Sequence, residues 1–296
     1  MRVKRLWHLL AVVSVVLCSL SFAQRAAGQR QATPLTFRKI SDSLYEILGG
    51  RGANGGAYIG GDGVLLIDSK MDEASVNQVL AEIKKLTDKP VKYVVNTHAD
   101  GDHVNGNRYL PAGTIFVAHE NCRKEFFVVR DGAPAAPSQW SDPKWSAFVP
   151  SITYRSKMDI YLAEKRVELW YFGVGHTTGD TVVYFPEEKT AFVGDQVFLG
   201  RTPLIHAYKG GNSFENVKTL TKMLETLDAE RFCTGHSNVT DREGVNGSIA
   251  SMRQRQEKVK ALIEKGKSLE EIRTEFGPDE AQLIAIIYNE VSAAKK

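Results

Sequence analysis

The chain has 296 residues, of which 43% are hydrophobic and 25% charged, and a formal net charge of +3. This is an ordinary composition for a soluble globular protein. The slight positive charge, with no basic stripe interleaved with aromatics, gives no support to a nucleic-acid surface, and the expected partner is a small molecule.

The N-terminus reads as a targeting segment. Met1-Arg2-Val3-Lys4-Arg5 is positively charged, and Leu9 to Leu20 is an apolar core too short and wrongly flanked for a membrane span. Ser21-Phe22-Ala23 places small residues at the −3 and −1 positions, so a signal peptide over 1–23 with cleavage before Gln24 is expected. Export, to a periplasm or beyond the cell, with no stable membrane insertion after cleavage, follows from it. Cys18 follows the bulky Leu17, where a lipoprotein signal carries a small residue. Cys122 and Cys233 each border an apolar stretch and read as buried free thiols. The length suits one large domain or two small ones, and no linker-like composition divides the chain, so one domain is expected over 24–296.

In chain order, Phe37 to Leu48 alternates and predicts one or two strands. The glycine-rich stretch from Gly49 to Gly56 matches neither phosphate-binding fingerprint. Ala57 to Gly60 and Val64 to Asp68 predict a hairpin. Val76, Val79, Leu80, Ile83 and Leu86 have helical spacing within Asp72 to Leu86. Val91-Lys92-Tyr93-Val94-Val95 is β-branched and aromatic and predicts a buried strand. Thr114 to Ala118 predicts another, and His119 to Val129 a helix. Asp131 to Pro150, with four prolines, Trp140 and Trp145, predicts a long loop, either a lid or a packed crossover. Strands are expected at Ile160 to Leu162, Val167 to Phe172, Thr181 to Phe185 and Ala191 to Val193. A helix over Phe214 to Leu227, with Ser213 as its N-cap, precedes a strand at Arg231 to Thr234. Helices broken near Gly266 and Gly277-Pro278 close the chain. Strands in the middle with helices on the outer faces is the natural layering.

The chain is organised around the turn that follows the strand at Val91. Four metal-ligating side chains, His98, Asp100, Asp102 and His103, fall within six residues, and Gly101 and Gly106 let the backbone turn sharply. Two imidazoles and two carboxylates so close desolvate badly unless a divalent cation holds them. Taken alone, the turn is equally that of a solvated acidic loop. Its weight comes from three later sites built the same way, with a polar residue at a strand's C-terminal end and glycine beside it: Gly175-His176-Thr177, Gly194-Asp195 and Gly235-His236. Of the seven histidines, His119 and His206 read as structural or surface residues.

Together, THADGDH, GHTTGD, VGDQVF and TGHS resemble the metallo-β-lactamase superfamily over nearly all of the mature chain. The resemblance implies an α+β fold, the four-layer αββα sandwich, with additional C-terminal helices. It implies two divalent metal ions, zinc by default. His98 and His176 would hold the first, Asp102, His103 and His236 the second, and Asp195 would bridge them. The chain departs from the family's HxHxDH turn at Asp100, where the second histidine is expected. A carboxylate there can still ligate, as a Glu does in similar-looking flavodiiron proteins, but the site becomes harder and iron or manganese more acceptable. The family's β-lactamases mostly carry Cys or Ser where Asp195 stands, so the substrate is expected to be something other than a β-lactam.

The implied activity is a metallo-hydrolase in which a hydroxide on the dinuclear site attacks an ester, lactone, thioester or amide carbonyl, with Asp102 orienting it and shuttling a proton. The alternatives are an iron-dependent dioxygenase or oxidoreductase of the same fold and a catalytically silent metal-binding module. Thr97, Thr177, Thr178 and Asp180 are candidates to support the ligands. Trp140, Trp145, Tyr171, Phe198, His206 and Tyr208 are candidate pocket aromatics, and Arg201 and Lys209 candidate anchors for a substrate carboxylate.

Overall fold

The computed structural model describes residues 34–129 and 138–294. The expected signal peptide and part of the proline-rich loop lie outside the described residues. Strands β1 (Leu35–Lys39), β2 (Leu44–Gly49), β3 (Gly55–Ile59) and β4 (Val64–Ile67) form an antiparallel meander. Helix α1 (Glu73–Leu86) then returns the chain so that β5 (Val91–Val95) pairs parallel with β4. Its start is fixed by Asp72, whose carboxylate accepts from the Ser75 N–H, and Val76, Val79 and Ile83 pack on Leu66, Val94 and Phe116 of the sheet. One helical turn, α2 (Gly101–Val104), follows β5. Then β6 (Ile115–His119), the short helix α3 (Glu120–Glu125) and β7 (Ile152–Tyr154) complete a seven-stranded sheet in sequential order.

The second sheet has five strands in the order β12-β11-β10-β9-β8. Strands β8 (Lys157–Leu162), β9 (Lys165–Trp170), β10 (Val182–Phe185) and β11 (Thr190–Gly194) are antiparallel. Helix α4 (Ser213–Thr226) brings β12 (Arg231–Thr234) in parallel to β11. Leu44, Tyr58, Leu65 and Val95 of one sheet meet Leu169, Val183, Phe185 and Phe192 of the other in a shared core. On the outer face of the second sheet, Val182, Ala191 and Val193 pack under α4, α5 (Arg242–Glu264), α6 (Leu269–Phe276) and α7 (Ala281–Ala293) through Leu220, Met223, Ile249, Ile272 and Ile284. The layers are therefore α, β, β, α, with extra C-terminal helices, as expected.

The differences are local. His119 is not the first residue of a helix reaching Val129 but the cap of the shorter α3, its ring accepting from the Asn121 N–H. The cap of α4 is Asn212, not Ser213, because Glu290 takes both the N–H and the hydroxyl of Ser213. Cys122 and Cys233 are buried and unpaired. Among the described residues no helix is long and apolar enough to cross a membrane.

Candidate metal centre

Parallel pairing places the chemistry. Strands β4 and β5 end side by side at Asp68 and Thr97-His98, and β11 and β12 end side by side at Asp195 and Gly235-His236. The two sheet ends are tied together: Asn54 N donates to Gly235 O at 2.7 Å, and Thr181 N to Thr97 O at 2.7 Å. Glycine is required where they meet, since a Cβ on Gly235 would lie 2.1 Å from Asp195 Oδ1. Gly194 sits at φ +53, in the left-handed region, and a Cβ there would lie 2.8 Å from Thr97 Oγ1.

All seven side chains singled out in the sequence converge. On one side, Asp100 Oδ2 lies 3.1 Å from His176 Nε2 and 3.5 Å from His98 Nε2. On the other, Asp102 Oδ2 lies 2.9 Å from His236 Nε2 and 3.8 Å from His103 Nε2. Asp195 stands between the two groups. Its Oδ2 is 3.2 Å from His236 Nε2 and 4.0 Å from His98 Nε2, and its Oδ1 is 3.2 Å from His103 Nε2. Donors about 2.0–2.2 Å from a tetrahedral ion lie roughly 3.4 Å from one another, so these spacings fit two ions.

The polar accounting points the same way. His98 Nε2, His103 Nε2 and Asp195 Oδ1 are buried with no hydrogen-bond partner. The last two are close but misaligned for a hydrogen bond, so they face a common space rather than each other. Orphaned groups of this kind cost about 1–3 kcal/mol each, and a coordinated ion removes that cost.

The electrostatics ask for positive charge at the same place. Burial pushes the Asp195 carboxyl up, but His103, His236 and His98 hold it well below the carboxylate range. Burial also opposes Asp100, which His98, His176 and His206 hold well below that range. Against burial, Asp195 and Asp68 raise His103 well above its ordinary value, and Asp100 lifts His176 to about 9. His236, bonded to Asp102 and Asp195, also rises to about 9. His98 alone is lowered, by burial and by neighbouring His103. A divalent ion satisfies the carboxylates while leaving the imidazoles neutral to ligate.

One supporting residue, Asp68, went unrecognised in the sequence, and two others were read in different roles. Asp68 accepts from Thr97 N at 2.8 Å and Thr97 Oγ1 at 2.7 Å, and its Oδ2 lies 2.7 Å from His103 Nδ1. It follows a strand directly, like the recognised ligands, and its φ of +57 is unusual for a non-glycine residue. The other two are His206 and Lys209. His206, expected to be structural or superficial, is 2.8 Å through Nε2 from Asp100 Oδ2, and Lys209, a candidate anchor for a substrate carboxylate, is instead buried with its ammonium on Asp100 Oδ1. Asp100 occupies the N-cap position of α2 yet makes no capping bond, because its carboxylate is turned to these partners.

Among the other candidates, Thr97 Oγ1 reaches His98 Nδ1 at 3.0 Å, and Leu204 O accepts from His176 Nδ1 at 2.8 Å. Thr177 and Asp180 bond each other and close the turn that carries His176, and Thr178 bonds Glu125. Trp140 packs on Phe126, and Tyr171 stacks on His119 at 3.8 Å. Phe198 stacks over His236 at 6.2 Å and forms one wall of a cleft of about 780 Å³, whose other walls include Arg201 and residues of α5.

Fold and site together define an αββα sandwich with a cluster of histidines and aspartates where the ends of its two sheets meet. The chain belongs to the metallo-β-lactamase superfamily, whose family model matches residues 48–236. Its relatives are distant. A metallo-β-lactamase type 2 of Elizabethkingia meningoseptica is 23% identical over 78% of this chain and 90% of its own length. A linear primary-alkylsulfatase of a Pseudomonas strain is 40% identical over 50% of this chain, and the alpha subunit of a 2,4-dinitroanisole O-demethylase of a Nocardioides strain is 29% identical over 55%. The matches span only 34% of the sulfatase and 44% of the demethylase subunit. Among solved structures, a metallo-β-lactamase from Pontibacter korlensis aligns with a TM-score of 0.62 at 18% identity, covering 74% of this chain and 99% of that one. This last likeness speaks for the fold.

Proposed function

We propose that this protein is an exported metal-dependent hydrolase that cleaves a carbonyl substrate of the ester, lactone, thioester or amide class. His98, Asp100 and His176 would hold one divalent ion, Asp102, His103 and His236 a second, and Asp195 would bridge them. The reading is carried by the position of the Asp195 carboxylate, 3.2–4.0 Å from imidazole nitrogens of both groups. Zinc is the expected metal. Ions bound there would supply Lewis acidity and bring the pKa of a water from 15.7 to ~7.

The chain's own residues do the rest. Asp102, with His236 on its Oδ2, is held ionised below the usual carboxylate range. Its side chain is 31% exposed, so it can take a proton from water and hand it to the leaving group. Thr97, Asp68 and the Leu204 carbonyl fix the imidazoles of His98, His103 and His176. Phe198, parallel to the His236 ring, also borders a cleft with Arg201 on its wall, and part of a substrate extending away from the ligands would enter it.

The test is elemental analysis of protein purified without added metal, followed by turnover on a panel of esters, lactones, thioesters and amides. Sulfate esters and β-lactams belong in the panel because of the names of the relatives. The Asp100 carboxylate favours a second reading, an iron-dependent oxidoreductase. Iron in the purified protein with oxygen consumption would select it, and zinc with ester turnover would select the hydrolase.

A further inference from the structure

Asp100 is the turn residue that departs from the family pattern, and its carboxylate is clasped by a lysine and a histidine from a distant segment. Its Oδ1 accepts from Lys209, whose side chain is only 5% exposed, and its Oδ2 is 2.8 Å from His206 Nε2. His206 precedes, and Lys209 ends, a single helical turn, Ala207–Lys209, closed by Gly210 at φ +74. That turn is fastened to the metal centre by His206 N, which donates to His176 O at 2.8 Å. A carboxylate in place of an imidazole adds one negative charge to a centre that already holds Asp102 and Asp195. A buried ammonium on the same carboxylate returns one positive charge.

We propose that Asp100 and Lys209, aligned by His206, act as a unit electrically equivalent to the neutral imidazole the family pattern carries at this position. Lys209 is thus a positioning and charge-setting residue for the first ion. The inference rests on the metal-dependent reading above. In this unit Lys209 engages Oδ1, while Oδ2, aligned by His206, is the oxygen that lies near His98 and His176, so Asp100 would offer the ion one oxygen rather than two. In the metal-free fold either half alone is destabilising, because an unpaired buried charge is far more costly than the pair is beneficial.

This makes a counter-intuitive prediction. Asp100→His restores the family's histidine but strands the Lys209 ammonium beside an imidazole and a dication. The metal-free variant should melt about 5–10 °C below the wild type, and its first ion should be held about ten-fold or more weakly in competition with a chelator, using Zn2+ or Co2+ as the probe. Adding Lys209→Met to Asp100→His should recover both quantities. Lys209→Met alone should lower the melting temperature of the metal-free protein and yet hold the ion more tightly, which loss of packing alone would not do. Additive effects in this cycle, or an Asp100→His variant as stable and as metal-retentive as the wild type, would overturn the proposal. Non-additive melting shifts in a protein that binds no divalent ion in any variant would keep the pair and remove the metal-dependent reading instead.

Discussion

The two halves of the centre are built from similar residues and placed differently. The first is closed: the side chains of His98 and His176 are 1% and 0% exposed, and Asp100 is 12% exposed. The second is half open: His103 is fully buried, but His236 and Asp102 are 27% and 31% exposed. The closed half is wrapped by a second ring of partners, with Thr97 on His98, the Leu204 carbonyl on His176, and His206 and Lys209 on Asp100. Beside the open half, the Phe198 ring lies parallel to that of His236 at 6.2 Å and also borders the neighbouring cleft, which none of the seven side chains lines. The contrast separates anchoring from exchange. On the proposed reading, the buried, partnered set would hold its ion in place, and the exposed set would let water and substrate reach the other.

The largest expected effect comes from removing what the halves share. Asp195→Ala should release both ions and lower turnover by more than about 10³-fold, roughly 4 kcal/mol of transition-state stabilisation. Full activity in that variant would sink the bridging assignment. Next come His176→Ala and His236→Ala, which should each leave close to one ion per chain. The former should also lower thermal stability, since it empties a fully buried position. The latter should leave melting almost unchanged while turnover falls, and equal melting losses for the two would erase the distinction between the halves.

Asp68→Asn should act from behind His103, weakening metal retention by about 10–100-fold. Chelator competition on the second ion measures this, and an unaltered affinity would show that Thr97 alone orients the turn.

The smallest effect is a pH dependence behind the closed half. Burial, against the opposing bonds from Thr178, pushes the Glu125 carboxyl from 4.5 up to about 7. The folded chain therefore keeps a proton that the unfolded chain releases between those values. Its contribution to stability is complete below pH 4.5 and is lost as the pH rises through 7. Glu125→Gln should remove at most about 3 kcal/mol of this slope, so the variant's melting temperature should gain on the wild type between pH 5 and pH 8. A difference that stays flat with pH would contradict the shift.

The same contrast explains what could be read from the sequence. The candidate ligands of the open half were all singled out from local signals, Asp102 and His103 from the crowded turn after β5 and His236 from a strand end beside glycine. Most strands and helices were legible too, as local apolar patterns, while the four-layer sandwich came from the resemblance that the motifs carry. The closed half was legible only in its ligands. The partners of Asp100 lie 106 and 109 positions away, on a turn with no strand before it, and only the fold brings them back. Asp68 could have been found, since it ends a strand as the ligands do, but it stands before the organising turn and has no glycine beside it. The caps missed at Ser213 and His119 show the same limit, because a distant Glu290 decides the first and ring orientation the second.

The most direct test of the central claim is the metal content of the wild-type protein purified without added metal, measured beside Asp195→Ala. Two divalent ions per wild-type chain and fewer than one in the variant is the predicted result. A wild-type chain that is folded, metal-free and unable to take up zinc, iron or manganese on titration would contradict it.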